Sequence, residues 1–301
     1  MIVAVIGIGS NSVRMLTADT RVRPFRALAR DRAGTRLFAG LDERNNLSPD
    51  SMAKTLTAVG QMAGEARRRG VERLHLFATS AARDARNGRE FMAAAEKTAG
   101  VPMQILSGPE EAELSFLGAC DVLPAGSRCG VIDIGGGSTE IVTGSGSGPD
   151  CAFSCQMGAV RLFQRFPISG RAGMKAVEEE ADRILGEKLR AYPDFSSPEA
   201  WAGTGGTFTT LAAMVKNIPW QNRAEMHGTR VTAEEVRGVG ETLADLSLEE
   251  RKQLPGLQPG RADIVVHGVC ILLSVMSRLG IGAFKVSEHG NLDGYIRKYY
   301  G

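Results

Sequence analysis

The chain has 301 residues, with 36 Lys+Arg against 34 Asp+Glu for a net charge of +2, and 43% of its residues are hydrophobic. That length supports two domains and a sizeable core, while the near-neutral balance gives no global field for nucleic acid, so any anion site must be local. Five cysteines (Cys120, Cys129, Cys151, Cys155, Cys270) are an odd number in a chain that needs no staples, and they read as the reduced thiols of a cytoplasmic protein.

The run Ile2 to Ile8 is apolar, lacks a basic leader and soon turns polar, so it reads as a core strand and not a signal peptide. A turn at Gly9-Ser10-Asn11-Ser12 and a second strand from Val13 to Ala18 follow. Segment 24 to 39 reads as a further strand pair. Ser48-Pro49 opens a helix whose apolar face is Met52, Leu56, Val59 and Met62. Leu74 to Ala78 is a buried strand, and the next helix would carry Arg83 and Asn87 at i and i+4 on one face. After a strand at Val101 to Leu106, Ser107-Gly108-Pro109-Glu110-Glu111 starts a helix. Its acidic pair serves either the helix dipole or a catalytic site.

Val131-Ile132-Asp133-Ile134-Gly135-Gly136-Gly137-Ser138-Thr139-Glu140-Ile141-Val142 reads as two strands joined by a tight turn of permissive backbone. Bare N–H groups of Gly135, Gly136 and Gly137, with hydroxyls from Ser138 and Thr139, suit phosphate oxygens. Asp133 and Glu140 beside such a cradle make sense with a hard cation such as Mg²⁺ or another divalent ion. No Lys follows the glycines and their spacing is not G-x-G-x-x-G, so neither a Walker A loop nor a dinucleotide turn fits. An offset of 126 residues lays Ile6 to Ser12 on Ile132 to Ser138, with Gly7 in the place of Asp133. The repeat predicts two similar α/β domains, 1–125 and 126–301, facing each other across a cleft, with the last helix free to pack back on the first.

Beyond the hairpin come a strand at Cys151 to Met157, a helix opening at Gly158 and a long amphipathic helix over 172 to 191. Cys151 and Cys155 lack a second Cys/His pair at metal spacing and read as buried apolar residues. Trp201 to Thr210 gives a strand, a Gly205-Gly206-Thr207 turn and a helix start, a third potential anion cradle. Segment 216 to 231 reads as a loop, and His227 within it as a structural histidine, not a base. Helices at 232–245, 248–253 and 261–280, a strand at Ala283 to Ser287 and a helix from Asn291 complete the chain. The apolar run near Cys270 to Met276 is too short to span a bilayer, so no membrane partner is expected.

Paired hairpins and the later glycine turn resemble the actin-like (ribonuclease H-like) ATPase superfamily. Within it, IGSNSVRML at 8–16, ATSAARDARN at 78–87, LSGPEEAELSFLG at 106–118, VIDIGGGSTEIV at 131–142, GTGGTFTTLAAM at 203–214 and PGLQPGRADIVVHG at 255–268 resemble the exopolyphosphatase/guanosine pentaphosphate phosphohydrolase (Ppx/GppA) family in its short two-domain form. The resemblance implies two actin-like domains with mixed sheets. It assigns Glu111 as general base, Asp133 and Glu140 to the metal and the attacking water, and Arg83 to phosphate. Ser10, Asn11, Ser12 and Arg14 of the first turn and Gly205, Gly206 and Thr207 of the third would also meet phosphate. Inorganic polyphosphate is the implied substrate, guanosine pentaphosphate a second one, and a homodimer is compatible. Two positions depart from the family pattern. Gly7 stands where Asp is usual and Leu292 where Arg is usual, so charge is lost and a weaker metal dependence or lower activity is expected. The alternatives are an impaired polyphosphate or alarmone sensor and, disfavoured by Glu110-Glu111, an ATP-dependent kinase.

Overall fold

The computed structural model describes residues 1–42, 44–145 and 148–301. The chain divides into two units, Met1–Gly118 with Asn291–Gly301, and Ala119–Gly290.

In the first unit, β1 (Ile2–Ile8), β2 (Ser12–Asp19) and β3 (Arg26–Gly34) form an antiparallel meander. Helix α1 (Pro49–Arg68) then leads to β4 (Arg73–Ala78), followed by α2 (Ser80–Asp84), α3 (Gly88–Ala99), β5 (Met103–Ile105) and α4 (Gly108–Ala119). The sheet order is β3-β2-β1-β4-β5, with β1, β4 and β5 parallel. Central β1 is buried along almost its whole length, which is why it reads as an unbroken apolar run and not as an alternation. Helix α1 starts where the sequence puts it: Ser48 accepts the Ser51 N–H at 3.2 Å, and Pro49 occupies the first turn, where a missing N–H costs nothing.

The second unit repeats the plan. Strands β6 (Cys129–Ile134), β7 (Thr139–Ser145) and β8 (Gly148–Cys155) form the meander. Then come α5 (Ala159–Arg165), α6 (Ala172–Leu189), β9 (Ala200–Thr204), α7 (Gly206–Val215), α8 (Arg223–Met226), β10 (Arg230–Thr232), α9 (Ala233–Asp245), α10 (Leu248–Lys252), α11 (Val265–Leu279) and β11 (Ala283–Ser287). The order is β10-β11-β9-β6-β7-β8, with β6, β9 and β11 parallel and β10 antiparallel at the edge. Helix α11 is nearly all buried, and its apolar side chains join Phe153, Phe208 and Phe284 in the core. The last helix, α12 (Asn291–Tyr300), belongs to the first unit, where Leu292 and Ile296 pack with Val3, Val5 and Phe77. The fold is α/β with two mixed sheets.

Three sequence expectations need correction. Segment 24 to 39 holds one strand, β3, and then a short 3-10 turn at Leu37–Gly40, because β2 has only one free edge and β3 takes it. The helix expected to carry Arg83 and Asn87 together stops at Asp84. Ala85 is extended, and Asn87 starts α3 while its amide brackets the Leu47 backbone, accepting the N–H at 2.8 Å and donating to the carbonyl at 3.0 Å. The segment 216 to 231 is not only loop: it contains α8 and edge strand β10, a three-residue run too short to show periodicity.

Candidate active site

The turns at Gly9–Ser12 and Gly135–Ser138 are built alike. Gly9 donates its N–H to the Ser12 carbonyl at 3.0 Å, and Gly135 to the Ser138 carbonyl at 2.9 Å. Register repeats as well: Gly7 pairs with Arg14 across β1–β2, and Asp133 with Glu140 across β6–β7. Directly opposed residues of an antiparallel pair project to the same side. One turn therefore carries a glycine and an arginine where the other carries two carboxylates.

None of Gly135, Gly136 and Gly137 adopts a left-handed backbone, so permissive φ is not what the run supplies. Close approach is. A Cβ on Gly158 would fall 2.3 Å from the Gly136 carbonyl oxygen, so the entry to α5 is pressed onto the turn. There the Gly135 carbonyl accepts from Ala159 and the Gly136 carbonyl from Val160 and Arg161, while Arg161 Nε donates to the Gly137 carbonyl at 2.7 Å. The carbonyls of the turn are thus held by α5. Ser138 is buried at the tip, whereas the Thr139 hydroxyl donates to the Met157 carbonyl at 2.5 Å and is a structural donor. Arg161 was not singled out by sequence; its signal was only that it follows the Gly158 turn.

Glu140 is 1% exposed and its Oε1 accepts from Ser154 Oγ at 2.7 Å, the residue opposite it on β8. Asp133 lies opposite Thr204 on β9, and its Oδ1 is 3.0 Å from where a Cβ on Gly205 would sit. Gly205 has φ +95°, so both its backbone and its space require glycine. Gly206 has a different neighbour: the Arg261 guanidinium occupies the space a Cβ there would take, 1.2 Å from Nη1. Arg261 therefore lies against the third turn, another residue that sequence reading passed over inside a longer matched segment. Thr207 is buried beneath, against Gly268 of α11. Asp133 and Glu140 fit the hard divalent cation expected of them. Like charges directly opposite each other repel, and a hard cation shared by the two carboxylates would relieve the repulsion.

In the first unit Ser10 and Ser80 share a hydroxyl hydrogen bond at 2.8 Å, tying the first turn to α2. Asn11 accepts at its carbonyl from Thr35 and Arg36, Ser12 is buried, and Arg14 Nη2 donates to Asn291 Oδ1 at 3.2 Å. The acidic pair at the start of α4 separates into two jobs. Glu110 caps the helix, accepting from Ser107 N–H at 2.7 Å and Ser107 Oγ at 2.8 Å; those bonds, the backbone one foremost, hold its carboxyl below the usual glutamate range. Glu111 turns inward, is 6% exposed, and its Oε2 accepts from Arg83 Nη1 at 3.0 Å. The same Nη1 donates to the Leu106 carbonyl at 2.9 Å, while Nη2 of Arg83 is buried with no hydrogen-bond partner among the described residues.

The two departures, Gly7 and Leu292, prove to be one feature. A Cβ on Gly7 would stand 2.9 Å from Leu292 Cδ2 and 3.1 Å from the Phe77 ring, inside an apolar cluster. Among the described residues no helix is long and apolar enough to cross a membrane.

Comparison with known proteins gives a consistent answer. The Ppx/GppA phosphatase family model matches residues 16–299. Exopolyphosphatase 2 of Mycobacterium tuberculosis is 34% identical over 310 aligned positions, covering 97% of this chain and 96% of that protein. Among solved structures, an exopolyphosphatase-like protein superposes with a TM-score of 0.90 at 28% identity, covering 100% of this chain and 99% of the other. The Aquifex aeolicus Ppx-GppA enzyme gives 0.82 at 27% identity, with 99% of each chain covered.

Proposed function

We propose that this chain, which belongs to the Ppx/GppA phosphatase family, removes the terminal phosphate from inorganic polyphosphate, with guanosine pentaphosphate as a second substrate. The observation that carries the reading is the split of the glutamate pair. Glu110 is consumed by the helix cap, whereas Glu111 is buried against Arg83 at the start of the same helix. A helix needs only one carboxylate for its cap, so the second has another use.

In this reading Glu111 orients a water and accepts its proton as the water oxygen attacks the terminal phosphorus; the bond to the bridging oxygen breaks, and that oxygen leaves with the shortened chain. Arg83 fixes the Glu111 rotamer through Nη1 and offers its buried Nη2 to a phosphate oxygen. In the first unit Ser10, Ser12 and Arg14 are the groups offered to phosphate oxygens; in the second unit, taken by itself, they are the backbone N–H groups of the glycine turn with Ser138, and Gly205, Gly206 and Thr207 of the later turn. Asp133 and Glu140 would hold Mg²⁺, which when bound withdraws charge from phosphate oxygens in a loose transition state.

A second reading, an impaired polyphosphate or alarmone sensor, is favoured by one observation: the apolar Gly7–Leu292 contact occupies a place where the family pattern has charges. Phosphate release from long polyphosphate and from guanosine pentaphosphate, with Mg²⁺ varied, decides between them. Hydrolysis that disappears in Glu111→Gln supports the enzyme. Tight polyphosphate binding with no release above that variant supports the sensor.

A further inference from the structure

Away from the acid pair, the second unit brings together three side chains that are distant in sequence. Asp121 lies in a short 3-10 turn at Cys120–Val122, His227 follows α8, and His289 follows β11. One ligand atom from each lies within 4.8 Å of the others. His289 Nδ1 and Asp121 Oδ2 are 2.6 Å apart, and the two imidazole rings stand 4.7 Å apart, centroid to centroid.

The backbone around the cluster is fixed. Gly228 donates to the Val286 carbonyl and Val286 to the Thr229 carbonyl, each at 2.8 Å, which clamps the His227 segment to β11. Glu288 N–H lies 3.4 Å from His227 Nδ1, a long contact that metal ligation by this ring would release, and the Glu288 carboxylate pairs with Arg223. The His289 carbonyl accepts from Thr204 Oγ1 at 2.7 Å, and its N–H donates to Ser287 Oγ at 3.1 Å. Side chains of Asp121 and His289 keep 27% and 31% of their surface exposed, so an ion has a route in.

We propose that Asp121, His227 and His289 form a binding site for a borderline divalent transition metal of the zinc class. Two imidazole nitrogens and one carboxylate oxygen suit zinc, cobalt or nickel and do not suit Mg²⁺, which takes oxygen donors and keeps its waters. Zinc bonds near 2.0–2.1 Å place tetrahedral ligand atoms about 3.4 Å apart. The partly exposed side chains reach that as ligand atoms now up to 4.8 Å apart close by at most about 1.4 Å and the 2.6 Å His289–Asp121 contact opens by about 0.8 Å, the ion taking the place of the hydrogen between them. Three protein ligands leave a fourth position for water or an anionic oxygen. The site lies two strands from Asp133 in the order β11-β9-β6, differs from it in donor chemistry, and does not depend on the proposed hydrolysis.

The test is calorimetric titration of Zn²⁺, and separately Mg²⁺, into chelator-treated full-length protein, with Co²⁺ as the optical probe. One equivalent of Zn²⁺ should bind, weakened about 100-fold or more in His289→Ala and in His227→Ala and roughly tenfold in Asp121→Asn, and unchanged in Asp133→Asn. Co²⁺ should show visible bands without the near-ultraviolet charge transfer of thiolate ligands. Zn²⁺ binding in wild type no tighter than in the double histidine variant overturns the proposal, as do thiolate bands, which would place the metal on cysteines. Broadening of the His227 and His289 resonances of wild type by Co²⁺ tests the ligands without any substitution, and its absence would also count against the site.

Discussion

Replacing Gly7 by alanine adds one methyl where the space is already occupied. Its Cβ would sit 2.9 Å from Leu292 Cδ2 and 3.1 Å from two Phe77 ring atoms, beneath a strand that is buried on both faces. Overpacking of this kind costs about 1–3 kcal/mol. Relief of glycine's entropy loss in a strand returns about 0.5–1 kcal/mol, leaving a net loss of about 0–2.5 kcal/mol. Leu292→Ala alone costs about 2–5 kcal/mol by opening a cavity. Together the two should cost less than their sum by at least about 1 kcal/mol, because the new methyl fills part of the space the leucine leaves. Both tryptophans, Trp201 and Trp220, lie in the second unit, so their fluorescence would not follow this change. Native-state hydrogen exchange on peptides covering β1 and β4 reads it directly. Effects that add to within about 0.5 kcal/mol would refute the claim that these positions form one packed contact. The charged version carries the functional question. Gly7→Asp alone should destabilise more than alanine, since it buries a carboxylate among apolar groups, and Gly7→Asp with Leu292→Arg should recover part of that loss and lower the Mg²⁺ needed for half-maximal phosphate release.

Other consequences can be measured separately. Glu111→Gln should lower phosphate release by roughly 10²- to 10⁴-fold with little change in polyphosphate affinity; a loss confined to affinity would remove Glu111 from the chemistry. Arg83→Lys, which cannot reach Glu111, Leu106 and a phosphate with one rigid fork, should lower both kcat and affinity, and a variant of wild-type kinetics would show that the buried Nη2 is idle. Asp133→Asn should shift the Mg²⁺ dependence to higher concentration, read as phosphate release across a Mg²⁺ series; an unmoved curve rejects the assignment. Burial holds His75 and His267 below the ordinary histidine value of 6.5, so as pH falls the unfolded chain takes up protons first. Their stabilisation is therefore present above pH 6.5 and declines as pH drops towards their lower folded values. The melting midpoint should fall over that range, and His75→Gln with His267→Gln should flatten the slope.

Much of the architecture was legible because it rests on local pattern. The apolar runs of β1 and β6, the Ser48-Pro49 start of α1, the β11 strand from Ala283 to Ser287 and the start of α12 at Asn291 each announce themselves within a few residues. The repeat at an offset of 126 residues was readable because both turns use the same short segment, and the hydrogen bonds from Gly9 and Gly135 show that the likeness extends to the backbone.

What the sequence determined by itself was the set of elements, their α/β class and the acid pair beside a glycine turn, since propensity, spacing and residue type act over short distances. Only the tertiary structure decided which side chains meet. It broke the helix between Arg83 and Asn87, gave Glu110 to the cap and Glu111 to Arg83, and showed that Gly158 is pressed onto the backbone of the glycine turn with no room for a side chain. It also joined Gly7 to Leu292, laid Arg261 on Gly206, and gathered Asp121, His227 and His289. Those meetings depend on strand order and on the long-range packing of helices, and a contact between residues hundreds of positions apart leaves no periodicity along the chain for a reader to find.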